Sequence, residues 1–114
     1  MGNPVVHFEI TAKNIERLHS FYSKIFGWKI DANNPFKYGM TDTGAGSGIN
    51  GGIGETDGEP RVTVYVQVPD IDKTLGEITA AGGTVQMAKT AIPGGPTLAQ
   101  FKDPAGHVIG LIQA

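Results

Sequence analysis

A repeat that spans the chain constrains its fold more than any other feature. Two segments superimpose without a gap when one is shifted by 56 positions. The repeat covers about half of the 114 residues, so it indicates two similar modules rather than an array of many short units. The matched pairs are Val6 with Val62, Phe8 with Val64, Ile10 with Val66, Asn14 with Asp70, Ile15 with Ile71, and Gly27 with Gly83.

Each copy begins as a strand that leads into a helix. Residues 61–68 alternate with period two, so that four valines share one face, and residues 5–11 alternate in the same way. Asn14 and Asp70 follow these strands as predicted N-caps, and apolar residues recur behind them at helical spacing. Glycines are typical of helix C-termini, and both helices are expected to end at them: at Gly27 and at the Gly82–Gly83 pair.

Three further strand-like stretches follow each helix. They cover residues 28–32, 36–42 and about 47–54 in the first copy, and 84–89, 97–103 and 107–113 in the second. We therefore predict an α+β fold in which two βαβββ modules form an incomplete eight-stranded barrel. The chain is expected to be one domain, 1–114, with module 1 at residues 1–54, an acidic linker at 55–60 and module 2 at 61–114.

The composition excludes several kinds of site and partner. With no cysteine, the chain can form no disulfide, thiolate metal site or thiol nucleophile. A net charge of −2 without a basic stripe argues against nucleic acid as a partner. No apolar run approaches the roughly 20 residues of a membrane helix, and no signal peptide is visible, so we expect a cytoplasmic protein without a membrane partner.

The sheet face opposite the predicted helices carries the candidate binding residues. A solvated face would be uniformly polar, but this one mixes apolar and polar side chains, which is typical of a cavity wall. The polar and aromatic candidates on it are His7, Glu9, Thr63, Tyr65 and Gln67. Each also has a simpler interpretation, as a hydrogen-bonded wall residue or, for Glu9, a solvated strand residue paired with a cation.

The repeat and four motifs together resemble the vicinal oxygen chelate superfamily, which includes glyoxalase I, bleomycin-resistance proteins and extradiol dioxygenases. Within it, the chain is most similar to the small bacterial glyoxalase-like proteins. The resemblance covers essentially the whole chain and implies the two-module fold. Its motifs are Val6-His7-Phe8, residues 21–28 (FYSKIFGW), Ala81-Gly82-Gly83 and residues 103–111 (DPAGHVIGL).

The resemblance also implies four positions for metal ligands, on the first and fourth strands of each module. They fall on His7, near Asn50, on Thr63 and on Gly110. A catalytic zinc site generally needs about three protein ligands, and only His7 is a strong one. We therefore predict no metal cofactor. If the alternative holds, a divalent Zn, Ni, Fe or Mn ion would need Glu9 and a carboxylate from the 55–59 loop.

The functional prediction is small-molecule binding in the cavity, with an incomplete metal site. The predicted ligand-binding residues are His7, Glu9, Asn50, Thr63, Tyr65 and Gln67. One alternative is a metal-dependent lyase, isomerase or dioxygenase of the lactoylglutathione-lyase type, and another is an interaction module with a vestigial pocket. Exposed sheet edges favour pairing, and the resemblance implies twofold dimers, so we expect a homodimer.

Overall fold

Within residues 2–114, eight strands and two helices follow one another in the predicted order. The computed structural model describes residues 2–114, so Met1, where predicted module 1 begins, lies outside them. The α+β fold with two βαβββ modules is confirmed. The elements are β1 Val5–Ala12, α1 Ile15–Phe26, β2 Lys29–Asp31, β3 Gly39–Asp42, β4 Gly51–Glu55, β5 Arg61–Val68, α2 Ile71–Ala80, β6 Thr84–Ala91, β7 Thr97–Lys102 and β8 Val108–Gln113.

The chain divides into two compact units with the same strand order. The first unit is His7–Val62, and the second comprises residues 2–6 and Thr63–Ala114. In the first unit the order is β2-β3-β4-β1, with β4 parallel to β1 and the other neighbours antiparallel. In the second it is β6-β7-β8-β5, with β8 parallel to β5. Within each unit the strands are thus mixed in direction.

Both helices begin where their caps predict. The Asn14 carboxamide oxygen accepts from the Arg17 amide at 3.4 Å, and the Asp70 carboxylate accepts from the Lys73 amide at 3.1 Å. Each bond satisfies one of the amides that a helix start leaves unpaired. Gly27 ends α1 in the left-handed region, at φ 70°, as expected of a glycine there.

The two helices bury their apolar residues to different extents. In the second unit, Ile71 and Leu75 of α2 pack with Val68, Ala99 and Leu111 in a buried core. In α1 only Ile15 is buried, whereas Phe21, Ile25 and Phe26 are more than half exposed. About half of the apolar face predicted on α1 is therefore exposed to solvent.

Two predicted strands begin later than expected because turns take their first residues. Residues 36–38 precede β3 in a turn: Lys37 has φ 52°, and the Asn34 side chain bonds both the amide and the carbonyl of Tyr38. Residues 47–50 precede β4 in a loop, and Gly48 within it and Gly46 just before it have positive φ. Backbone of this kind cannot join a strand ladder.

Among the described residues, 2–114, neither helix is long and apolar enough to cross a membrane.

Candidate functional site

The strand register shows which residues correspond in the two units. Glu9 on β1 lies opposite Gly52 on β4, and Tyr65 on β5 lies opposite Gly110 on β8. Glu9 and Tyr65 are themselves related by the repeat of 56 residues. The residue that corresponds to Gly110 is therefore Gly52, and the sequence alignment that placed Asn50 there is wrong by two positions.

Gly52 is covered by the ring of Tyr38, which lies just before β3. A Cβ on residue 52 would overlap the ring carbons and the hydroxyl of Tyr38. The Tyr38 hydroxyl donates to Glu9 Oε2 at 2.9 Å and lies 3.0 Å from His7 Nε2. Glycine at position 52 is thus a requirement of close packing, and Tyr38 is a central residue that the sequence analysis missed.

The bonds at Tyr38 and the burial of His7 both bear on the protonation of His7. When the phenol proton is directed to Glu9, the contact between His7 Nε2 and the Tyr38 oxygen requires a proton on Nε2. Burial lowers the pKa of His7 below its ordinary value of 6.5, because it disfavours the charged imidazolium. Burial therefore favours the neutral imidazole of His7 at neutral pH.

Tyr65 covers Gly110 in the second unit in a similar way. A Cβ on residue 110 would overlap the Tyr65 ring, and the Tyr65 hydroxyl accepts from Gln100 Nε2 at 3.0 Å. Tyr65 is 3% exposed and Thr63 is 4% exposed, so both side chains are buried. The Gln67 amide donates to the Pro4 carbonyl at 2.9 Å, and the Gln67 side chain is half-buried.

An open cleft of about 360 Å³ lies in the first unit. Its volume falls within the range of ligand pockets. Of the predicted binding residues, His7 and Asn50 line it, whereas Glu9, Thr63, Tyr65 and Gln67 are not among its lining residues. The other lining residues, which the sequence analysis did not single out, are Lys29, Asp31, Met40, Thr41, Asp42 and Gly51.

Several polar groups of the cleft are held by local bonds. Asp31 accepts from the Asn33 amide and Asp42 accepts from the Gly44 amide, each at 2.9 Å. Asn50 Oδ1 accepts from the Thr43 amide at 3.1 Å, which closes the turn before β4. These bonds orient the side chains before any ligand arrives, and such preorganisation lowers the entropy that binding costs.

A sequence model of the Glyoxalase/Bleomycin resistance protein/Dioxygenase superfamily matches residues 5–111. The chain belongs to this superfamily. The resemblance inferred from the repeat and motifs is therefore confirmed.

Named relatives and solved structures agree with this membership. A "Probable lactoylglutathione lyase" of Vibrio parahaemolyticus is 28% identical, over 96% of this chain and 89% of its own. A methylmalonyl-CoA epimerase from Mycobacterium tuberculosis superimposes with a TM-score of 0.70 at 12% identity, over 96% of this chain and 86% of its own. A Mn(II)-bound glyoxalase from Novosphingobium aromaticivorans has the same TM-score at 19% identity, over 97% of this chain and 38% of its own. At these identities the two structures show the fold.

The residues of this chain do not fit the divalent ion that the superfamily implies. With the corrected register, the four ligand positions carry His7, Gly52, Thr63 and Gly110. Both glycines lie under tyrosine rings, so a side chain at either position would require the ring to move. Within residues 2–114, no group of three or more His, Asp or Glu side chains is placed to hold a metal. One imidazole and one hydroxyl fall short of a catalytic donor set.

Proposed function

We propose that this protein binds a small organic molecule in the cleft of the first unit, through hydrogen bonds rather than through a metal ion. The observation that supports this most is the cleft itself, with a volume of about 360 Å³ and a wall of mixed chemistry. Ligand sites typically combine an apolar lining with a few oriented polar groups. Here Met40 supplies apolar surface, and His7 and Asn50 supply polar groups.

The charges of the lining suggest the chemistry of the ligand. Two carboxylates, Asp31 and Asp42, outnumber the single ammonium of Lys29, and all three are exposed. The neutral imidazole of His7 adds no charge. The cleft therefore favours a neutral or cationic molecule rather than an anion. Such a molecule would place an apolar part against Met40 and direct hydrogen-bond donors to the Asp31 and Asp42 carboxylates.

Ligand-detected and protein-detected NMR with a library of neutral and amine-bearing fragments tests this proposal. Amide shifts should cluster at His7, β2, β3 and Asn50. Met40→Trp should fill the cleft and remove the shifts, because Met40 is 55% exposed on its wall. Val85→Trp is the matched control, since Val85 is also an exposed strand residue, at 46%, but lies outside the cleft. Hits that spread over the surface, or that survive Met40→Trp, would refute the proposal.

A metal-dependent lyase is the second candidate, and the name of the Vibrio parahaemolyticus relative supports it. In this case a divalent ion would have to be held by donors other than the four family positions, such as Glu9 with the 55–59 loop. Assays with methylglyoxal and glutathione in the presence of Ni²⁺ or Zn²⁺ separate the two candidates. Metal-dependent turnover that His7→Ala abolishes would favour the lyase.

We also propose a homodimer, supported by the exposed apolar side chains of α1. Phe21, Ile25 and Phe26 are each more than half exposed, and burial in a symmetric interface would remove this area from water. Light scattering should give about twice the 12.0 kDa chain mass. A mass of one chain at micromolar concentration would refute the dimer.

Location in the cytoplasm, and a role as an interaction module with a vestigial pocket, stay predictions.

A further inference from the structure

The side chains of Asp42 and Asn50 line the cleft as neighbours, and two successive backbone amides hold them. Asn50 Oδ1 accepts from the Thr43 amide at 3.1 Å, and Asp42 Oδ1 accepts from the Gly44 amide at 2.9 Å. The register of β3 with β4, continued by one residue, places Asp42 opposite Asn50. The Cβ atoms of directly opposite residues are about 4.5–5.5 Å apart. A small ligand in the cleft can therefore contact both side chains at once.

The two amide bonds decide which atoms of this pair a ligand meets. A backbone amide only donates, so the Asn50 atom that faces Thr43 must be the carboxamide oxygen, and the NH₂ group remains for a ligand. A carboxylate has no donor, and because Oδ1 of Asp42 is bonded to Gly44, Oδ2 remains as an acceptor. The cleft therefore presents an oriented donor beside an oriented acceptor.

Asp31 is the other carboxylate of the cleft, but it lies too far from Asn50 to form such a pair. It belongs to β2 and lies opposite Met40 of β3, whereas Asn50 directly precedes β4. Strand β3 therefore lies between them, and neighbouring strands are about 4.7–4.9 Å apart. One amide group of a ligand reaches across one such spacing but not across two.

We propose that Asn50 Nδ2 and Asp42 Oδ2 together select ligands that carry a carbonyl oxygen and an N–H on the same edge, as in a lactam, a primary carboxamide or a urea. The carbonyl oxygen accepts from Asn50, and the neighbouring N–H donates to Asp42. A trans amide, as in a peptide bond, directs the two groups to opposite sides and satisfies only one partner. Because the pair lies in the same cleft, this ligand class rests on the proposed function and specifies it further.

The test compares caprolactam with N-methylcaprolactam, which keeps the carbonyl and the apolar ring but lacks the N–H. Titrations followed by protein amide shifts give both dissociation constants. Caprolactam should bind the wild-type chain at least about tenfold more tightly, because only this fragment completes both hydrogen bonds. The side-chain NH₂ signals of Asn50 should shift with both fragments, since both retain the carbonyl.

Asp42→Asn removes the acceptor and keeps the shape of the side chain. The new carboxamide oxygen can still accept from the Gly44 amide, but the NH₂ group would then oppose the lactam N–H. The preference for caprolactam should therefore disappear, while N-methylcaprolactam binds much as before. Asp103→Asn is the matched control, because the Asp103 carboxylate also accepts from a backbone amide, that of Ala105 at 2.9 Å, but lies in the second unit. It removes the same charge and should leave the preference intact.

Asn50→Asp tests the donor, since an oxygen at that position can still accept from the Thr43 amide. It should weaken both fragments, because a carboxylate repels the carbonyl that both carry. A preference that survives Asp42→Asn, or that Asp31→Asn removes equally, would overturn the inference and leave binding in the cleft standing. If other fragments shift the amides of the cleft but caprolactam does not, the inference is likewise wrong and the proposed function stands. If no fragment shifts them, both are refuted.

Discussion

The two units place a tyrosine ring over corresponding glycines, but they recruit the ring from different parts of the chain. In the second unit Tyr65 belongs to β5 itself and lies opposite Gly110 in the strand register. In the first unit Tyr38 comes from the turn before β3, and the strand residue opposite Gly52 is Glu9. In both units a tyrosine ring thus packs on a glycine, but from a different part of the chain. Only the hydroxyl of Tyr38 contacts an imidazole and a carboxylate, those of His7 and Glu9.

The largest expected difference between the units concerns their helices. Ile71 on α2 is fully buried in the core of the second unit, so Ile71→Ala should lower the free energy of unfolding by about 2–5 kcal/mol. Phe21 on α1 is 53% exposed, so Phe21→Ala should cost less than about 1 kcal/mol in the monomer. Urea denaturation measures both. The comparison is made at a concentration where light scattering gives the mass of one chain, and there a loss for Phe21→Ala as large as that for Ile71→Ala would contradict the expected difference between the helices.

The covered glycines should come next in size. A methyl at residue 110 overlaps a tyrosine that is 3% exposed and cannot withdraw, so Gly110→Ala should cost about 3 kcal/mol. A methyl at residue 52 overlaps the half-buried Tyr38, which can withdraw, so Gly52→Ala should cost about 1–2 kcal/mol.

Gly76→Ala is the matched control for both glycine substitutions. A Cβ on Gly76 meets open space on α2, so the change should stabilise the protein by up to about 1 kcal/mol. If Gly52→Ala is instead more costly than Gly110→Ala, the turn that carries Tyr38 is more rigid than the packing around Tyr65.

The pH dependence should be the smallest effect, and it belongs to the first unit. Burial holds the pKa of folded His7 below 6.5, whereas the unfolded chain takes up a proton near 6.5. The unfolded state therefore binds more protons as the pH falls through this window, and the unfolding free energy should decrease with it. In His7→Gln, the unfolding free energy should depend less on pH between the pKa of His7 in the folded chain and its pKa in the unfolded chain. An unchanged slope in that variant would assign the dependence to other groups.

Local features of the fold follow from the sequence because they depend on neighbouring residues. Asn14 and Asp70 cap helices through bonds that reach three residues along the chain. Val66 and Val68 pack on the helix side of β5 because alternation assigns a face to every second residue. The repeat then carries these assignments from one module to the other.

The register of β4 did not follow from the sequence, for a physical reason. Residues 51–54 contain three glycines, and a strand without side chains has no apolar face by which alternation can be read. The short likeness of residues 49–51 to residues 109–111 therefore suggested Asn50 in place of Gly52. The sequence does contain a pattern that would have indicated Gly52. The last strand of each module has a glycine followed by a large aliphatic residue, Gly52-Ile53 in β4 and Gly110-Leu111 in β8.

Tyr38 could not be identified from the sequence because its contacts are distant. Its hydroxyl meets residues that lie 29 and 31 positions earlier, and the turn held by the Asn34 side chain decides where the ring points. The cleft residues of β2 and β3 were missed for a related reason. Their common face becomes visible only when these short strands pair, for example Lys29 with Asp42 and Asp31 with Met40.

The metal content of the purified wild-type protein tests the central claim most directly. Tyr38 and Tyr65 cover Gly52 and Gly110, two of the four ligand positions that the resemblance implies, so the chain should retain far less than one Zn²⁺, Ni²⁺, Mn²⁺ or Fe²⁺ per molecule after dialysis. Inductively coupled plasma mass spectrometry gives the stoichiometry, with His7→Ala as the paired sample. A value near zero in both samples is the predicted result. About one ion per chain in the wild type, lost in His7→Ala, would contradict it.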